Sequence, residues 1–221
     1  MPVKLLQCSD FVPPNSRFGQ ISFCLAADEW ICISGPSGVG KSSLLFVLAG
    51  LTNPISGTIR RAESHRSMLG YVSFSRSRCD AVHLVPQSLP LIPQLDVLYN
   101  VLFVQRILRD GRSPDACRHL LIKLGLQRRL EPIPSQLSVG EKQRVCVAQG
   151  LATDAPVLLI DEPTSNLDSD CVSLLVKLFR ETTQVGRALL VASNDPRLTP
   201  LADRVISLVD YVQSRRIFAT S

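Results

Sequence analysis

The stretch GPSGVGKSS at residues 35–43 sets Gly35, Gly38 and Gly40 just ahead of Lys41, Ser42 and Ser43, and it follows the apolar run WICIS. This fits the spacing G-x-x-x-x-G-K-[ST]. Glycines let a loop wrap a phosphate with its backbone N–H groups, and the helix that follows adds its positive end. Lys41 can then reach the outer phosphates of a nucleotide while Ser42 holds Mg²⁺. A strand before the loop and a helix after it set the motif apart from a chance glycine turn.

A second chemical pair comes from VLLI at 157–160, which delivers Asp161 and Glu162 at its C-terminal end, where parallel sheets bind ligands. Asp161 would hold the metal through water, and Glu162 would orient or deprotonate a water aimed at the γ-phosphate. In isolation DEPT also reads as a turn with helix-cap chemistry. The segment LSVGEKQR places Glu141 three residues after Ser138, a capping-box pattern. Capping is the stronger reading of that motif alone, although a serine and exposed N–H groups at a helix start also suit a phosphate supplied by another subunit. Finally, ALLVASNDPRL at 188–198 begins as a buried strand and turns polar at Ser193, Asn194 and Asp195. Asn194 is either a turn residue or the occupant of a catalytic position that cannot carry a charge.

Positioning these groups requires a particular order of elements. Short β-branched runs at 3–6, 21–25 and 30–34 predict a β-rich N-terminal part. Strands at 157–161, 188–193 and 204–209, alternating with helices at 168–184 and 197–202, predict parallel βαβ units. Between them, apolar residues at 95, 98, 101, 102 and 108 predict a helix ending at Gly111, and Ser113, Pro114 and Gly125 bracket a second one.

Composition narrows the function. The 221 residues, 45% hydrophobic and 19% charged, suit one globular domain with a substantial core. Runs such as ALLVA are too short to cross a bilayer, and the N-terminus lacks a secretory pattern, which predicts a cytoplasmic protein. The seven cysteines contain no C-x-x-C pair and read as reduced core residues; His65, His83 and His119 lack ligand spacing, so a metal site made of protein ligands alone is not expected. The net charge of +5 sits in pairs, Arg60–Arg61, Arg128–Arg129 and Arg215–Arg216, without interleaved aromatics, so no nucleic-acid partner is expected.

Taken in order, GPSGVGKS, Gln87 in LVPQSLP, LSVGEKQR, VLLIDEP, SNLD and NDPRL resemble the motif series of ABC-type ATPases over nearly the whole chain. The pattern is most similar to the compact single-domain ATPases of lipoprotein-release and macrolide-export transporters. The resemblance implies an α/β P-loop NTPase fold with a RecA-like parallel-sheet core, an N-terminal antiparallel β part and a helical signature subdomain. It implies one nucleotide-binding domain, 1–221, with the subdomain at about 88–150. Gly35, Pro36, Ser37, Gly38, Val39, Gly40, Lys41, Ser42 and Ser43 would cradle ATP, and Phe11, with Phe18 as a rival, would stack on adenine. Ser42, Gln87 and Asp161 would hold Mg²⁺, and Glu162, Gln87 and Asn194 would form the catalytic set. Ser138 and Gly140 would bind nucleotide across a head-to-tail homodimer or heterodimer, with Asp168 in the loop joining the two sites. The implied partners are separate transmembrane subunits, with the chain on the cytoplasmic face of the membrane.

Departures from the family pattern give further expectations. Asn194 stands at the switch histidine and Val139 at the first signature glycine, Gln149 replaces an arginine, Gly150 an alanine and Asp28 a turn glycine. An amide donates a hydrogen bond but relays no proton, so hydrolysis is expected to weaken more than binding. Two alternatives stay open: a non-transport ABC-type switch, and a P-loop kinase acting on a small metabolite.

Overall fold

In the computed structural model, residues 3–61, 81–108 and 113–212 are described. The expectations for His65, Cys79, Gly111 and Arg215–Arg216 lie outside them. Strand β1 (Lys4–Val12) pairs antiparallel with β2 (Ile21–Ala26), and β3 (Trp30–Ser34) leaves for a second sheet. Helix α1 (Lys41–Leu48) follows, and β4 (Ser56–Arg61) returns to β1, giving the order β2-β1-β4. β1 runs well past the expected 3–6 because Leu6 and Cys8 turn inward in alternation while Gln7 and Ser9 do not. A shift of register between Cys8 and Phe11, with Asp10 at φ 49°, then aims Phe11 into the core. β4 was not legible, since Ile59 is its only buried residue.

The second sheet is wholly parallel. β5 (Val82–Val85) leads into helices α2 (Val97–Leu108), α3 (Pro114–Lys123) and α4 (Val139–Leu151), which pack on one another. Then come β6 (Val157–Asp161), α5 (Ser169–Thr183), β7 (Ala188–Ala192) and β8 (Arg204–Ser207), in the sheet order β5-β6-β7-β3-β8. β6 and β7 are buried throughout because the sheet lies between two cores. Leu158, Ile160, Leu189 and Val191 face the core that includes residues of α4 and α5. Val157, Leu159 and Leu190 face the one built with α1 and the antiparallel sheet.

Two further boundaries differ from expectation. The helix at 197–202 is only a 3₁₀ turn, Thr199–Leu201, which ends where Ala202 turns extended at ψ 152°. The last strand stops at Ser207, and 208–212 are helical. The other caps match: Ser113 accepts the Ala116 N–H at 3.2 Å, and Gly125 follows α3 at φ 72°. Four of the described cysteines, Cys8, Cys32, Cys117 and Cys146, are buried. No helix among the described residues is long and apolar enough to cross a membrane.

Candidate nucleotide site

The chain turns from the end of β3 into α1 through Gly40, the helix N-cap, whose φ of 118° would strain any side chain. Lys41 is the first helical residue and only 7% exposed. Its Nζ donates to the Gly35 carbonyl at 2.8 Å and pairs with Glu162 Oε1 at 3.2 Å. These groups border a cleft of about 280 Å³ lined by Asn15, Ser37, Gly38, Gly40, Lys41, Ser42, Ser43, Gln87 and Glu162. The glycine loop, the glutamate and Gln87, distant in sequence, therefore converge on one opening.

Asp161 closes β6 beneath that cleft, 2% exposed. Burial holds its carboxyl above the ordinary carboxylate range, against the opposing pull of a Ser42 hydrogen bond and the Lys41 charge. Its Oδ1 has no hydrogen-bond partner. A buried carboxylate oxygen left unpaired beside a serine hydroxyl is a donor set suited to a hard cation. Glu162 follows at φ 48°, a left-handed conformation that costs a non-glycine residue about 1–2 kcal/mol. Its N–H donates to the Ala192 carbonyl at 2.8 Å, and Oε2 accepts the Ser193 hydroxyl at 3.2 Å and the Asn194 N–H at 3.4 Å. Asn194 thus enters the site through its backbone.

The signature segment is a complete cap. Ser138 Oγ accepts the Glu141 N–H at 3.2 Å, and Glu141 Oε2 accepts the Ser138 N–H at 2.8 Å. Val139 is 53% exposed, so its bulk meets no resistance within the chain. Gly140 is confined instead: a Cβ there would lie 2.7 Å from the Asn166 carbonyl oxygen. That contact fixes the start of α4 against the loop leading to Asp168, which caps α5 by accepting the Cys171 N–H at 2.8 Å. Further along α4, the buried Gln143 amide reaches the Glu162 carbonyl at 3.5 Å, and Gln149 donates to the Asn100 carbonyl at 3.2 Å. Asn100, fully buried, bonds the carbonyls of Ile92, Leu95 and Asp96 and so holds the chain downstream of Gln87. Asp28 occupies its turn at φ 64°, which aspartate tolerates better than most residues.

Not every expected residue joins the cleft. Ser138 and Gly140 do not line it, and Phe11 and Phe18 are both 0% exposed. The expectation of adenine stacking on Phe11 is corrected on physical grounds: a ring with no accessible face cannot stack on a ligand. Asn15 and Gln143 were not anticipated. The turn chemistry of PPNS could have flagged Asn15; nothing local flags Gln143.

Comparison with known proteins now bears on the site, because the ABC transporter family matches over residues 18–165. The chain belongs to the ABC transporter family. The lipoprotein-releasing system ATP-binding protein LolD of Maricaulis maris is 39% identical over 193 residues, covering 86% of this chain and 84% of that protein. An uncharacterized ABC transporter ATP-binding protein of Mycobacterium tuberculosis is 36% identical over 197 residues; these are 87% of this chain and 59% of that relative. The chain therefore spans about three-fifths of the length of that relative. Among solved structures, a dimeric bacterial ABC transporter cassette superposes with a TM-score of 0.77 at 23% identity, covering 92% of this chain and 94% of the other. An ABC transporter ATP-binding protein of Pyrococcus furiosus gives 0.80 at 18% identity, covering 93% and 98%. At those identities the likeness is one of fold, that of an α/β P-loop NTPase.

Proposed function

We propose that the chain is the ATP-binding subunit of an ABC transporter, and that ATP binding and hydrolysis in it drive movement of separate transmembrane subunits at the cytoplasmic face of a membrane. The supporting observation is the convergence of Lys41, Glu162 and Gln87 on one cleft above the unpaired Asp161 oxygen. Mg²⁺ bound with the nucleotide would neutralise charge on the outer phosphates, and Ser42, Asp161 and Gln87 are the residues that would hold it. Lys41 takes the outer phosphates and so releases its ion pair with Glu162. Glu162, still held by Ser193 and the Asn194 N–H, then orients the attacking water and accepts its proton. Asn194 offers an amide where an imidazole would serve better, which slows that step. Ser138 and Gly140 complete the site of a second cassette, homologous or identical, across a dimer.

Coupling runs through Gln87. The segment after it is tied down by Asn100 at the start of α2, and the outer face of α2 exposes Tyr99, Phe103 and Ile107 at four-residue spacing. An exposed apolar stripe beside the Gln87 segment suits a transmembrane subunit. Tagged chain should co-purify with a multi-span membrane protein that changes its nucleotide turnover. Replacing the three stripe residues by serine should abolish that association and leave nucleotide binding intact. Persistence of the association in the triple variant refutes this docking face, while a nucleotide-binding chain with no membrane partner favours the non-transport switch.

A further inference from the structure

The turn that holds Glu162 is itself tied to the loop leading to Asp168. Ser193, fully buried, accepts the Asp195 N–H at 3.1 Å while its hydroxyl donates to Glu162 Oε2. The Asp195 carboxylate in turn grips Arg197: Oδ1 accepts the Arg197 backbone N–H and Nε, both at 2.9 Å, and Oδ2 accepts Nη2 at 2.7 Å. From the same Nη2 a second bond runs to the Leu167 carbonyl at 3.3 Å. A guanidinium presents its donors in a fixed planar fork, so one side chain holds the carboxylate and the carbonyl in a set geometry.

Leu167 lies at a junction. Its Cδ2 and the Asn166 carbonyl oxygen are what a Cβ on Gly140 would meet, at 3.3 and 2.7 Å, so the first turn of α4 rests on this loop. At its other end the loop closes on Glu162, whose carbonyl accepts the Ser165 hydroxyl at 3.2 Å. The left-handed backbone of Glu162 is a conformation that persists where the surroundings over-determine it. Its carboxylate takes the Ser193 hydroxyl and the Asn194 N–H, so its aim depends on the 193–195 turn being fixed. We infer that Arg197 is a positioning residue for ATP hydrolysis: by fastening Asp195 to Leu167 it keeps those two donors aimed at Glu162. The inference rests on the reading of the cleft as a hydrolytic nucleotide site. Asp195 and Arg197 do not line that cleft, so their effect falls on the glutamate and not on the nucleotide.

The test compares the parent with Arg197→Gln, Ser193→Ala and the double variant, by steady-state hydrolysis and by calorimetric binding of Mg²⁺-ATP. It uses whichever preparation of the parent turns over, the chain alone or with its co-purifying membrane protein. Misplacing a catalytic group by about 1 Å costs up to about a hundredfold, so Arg197→Gln should lower kcat about tenfold with KM and ATP affinity within about twofold of the parent. Because both residues act on one carboxylate, the double variant should lose little more than Ser193→Ala alone. A merely structural role predicts otherwise: an exposed ion pair adds little to stability, and its loss would leave kcat unchanged or lower kcat and binding together. Either of those results, or losses that multiply in the double variant, would overturn the inference and leave the hydrolytic site standing. ATP bound but hydrolysed by neither preparation of the parent would overturn the hydrolytic reading, and the inference with it.

Discussion

Gly150 sits in the last turn of α4, where the helix passes against β5, and a Cβ there would come 2.3 Å from Val85 Cγ2 and 3.0 Å from Leu158 Cδ1. Gly150→Ala should gain about 1 kcal/mol of helix propensity. Forcing a methyl into that packed contact should cost about 1–3 kcal/mol. The net expectation is a loss of about 1 kcal/mol, a fall of roughly 2–4 °C in Tm for a chain of this size. Val85→Ala alone should lose roughly 2 kcal/mol by opening a cavity. In the double variant the new methyl refills that space, so the two changes should couple favourably by at least about 1 kcal/mol. Urea and thermal unfolding of the four proteins measures the cycle. Because Val85 precedes Gln87 by two residues, Gly150→Ala should also weaken Mg²⁺-nucleotide binding. A Gly150→Ala chain more stable than the parent, with effects additive to Val85→Ala, would refute the claim that α4 and β5 are locked together here.

Burial raises the Asp161 carboxyl, so the folded chain binds that proton more tightly than the unfolded one; this stability is full below the unfolded value near pH 4 and lost as pH rises through the folded value. At neutral pH in chelator, Asp161→Asn should therefore melt higher, by roughly 1 kcal/mol, while losing Mg²⁺-dependent nucleotide binding; a lower Tm would contradict this. Asn194→His should raise ATP turnover with little change in ATP affinity, and an unchanged rate in a purified, partner-bound assembly would remove that role. The Arg197 guanidinium holds the Asp195 carboxyl at about 2. Its stabilisation is present above the unfolded value near pH 4 and lost as pH falls through the folded one. Arg197→Gln should flatten acid unfolding over that window, and acid profiles that overlay would show the pair to be inert.

The sequence revealed most where chemistry is local. Glycine spacing before Lys41, the Ser138–Glu141 cap and the start of α3 are set by residues within a few positions, and all stand as read. The buried runs of β6 and β7 were legible because strands covered on both faces need no alternation. What failed depended on distant partners. β4 pairs with β1 and buries only Ile59, so its own residues do not mark a strand, and the inner face of α2 accepts Asn100 and Gln105 because their amides find carbonyls elsewhere. Gln105 donates to the Ala152 carbonyl at 2.9 Å, a contact 47 positions away. Phe11 is the clearest case at the site: the shift of register before it decides whether the ring faces ligand or core, and its residue type cannot. Gly150 stands where the family pattern has alanine, and the structure gives the reason, since β5 occupies the space a side chain would need.

The most direct measurement is Mg²⁺-dependent ATP hydrolysis by the purified chain, with and without its co-purifying membrane protein, alongside nucleotide binding on the same sample. Nucleotide binding in both states, with hydrolysis that rises when the membrane protein is present and disappears in Glu162→Gln, is the predicted result. Phosphate transferred to a small acceptor instead of water, or turnover indifferent to both the membrane protein and Glu162, would contradict the account.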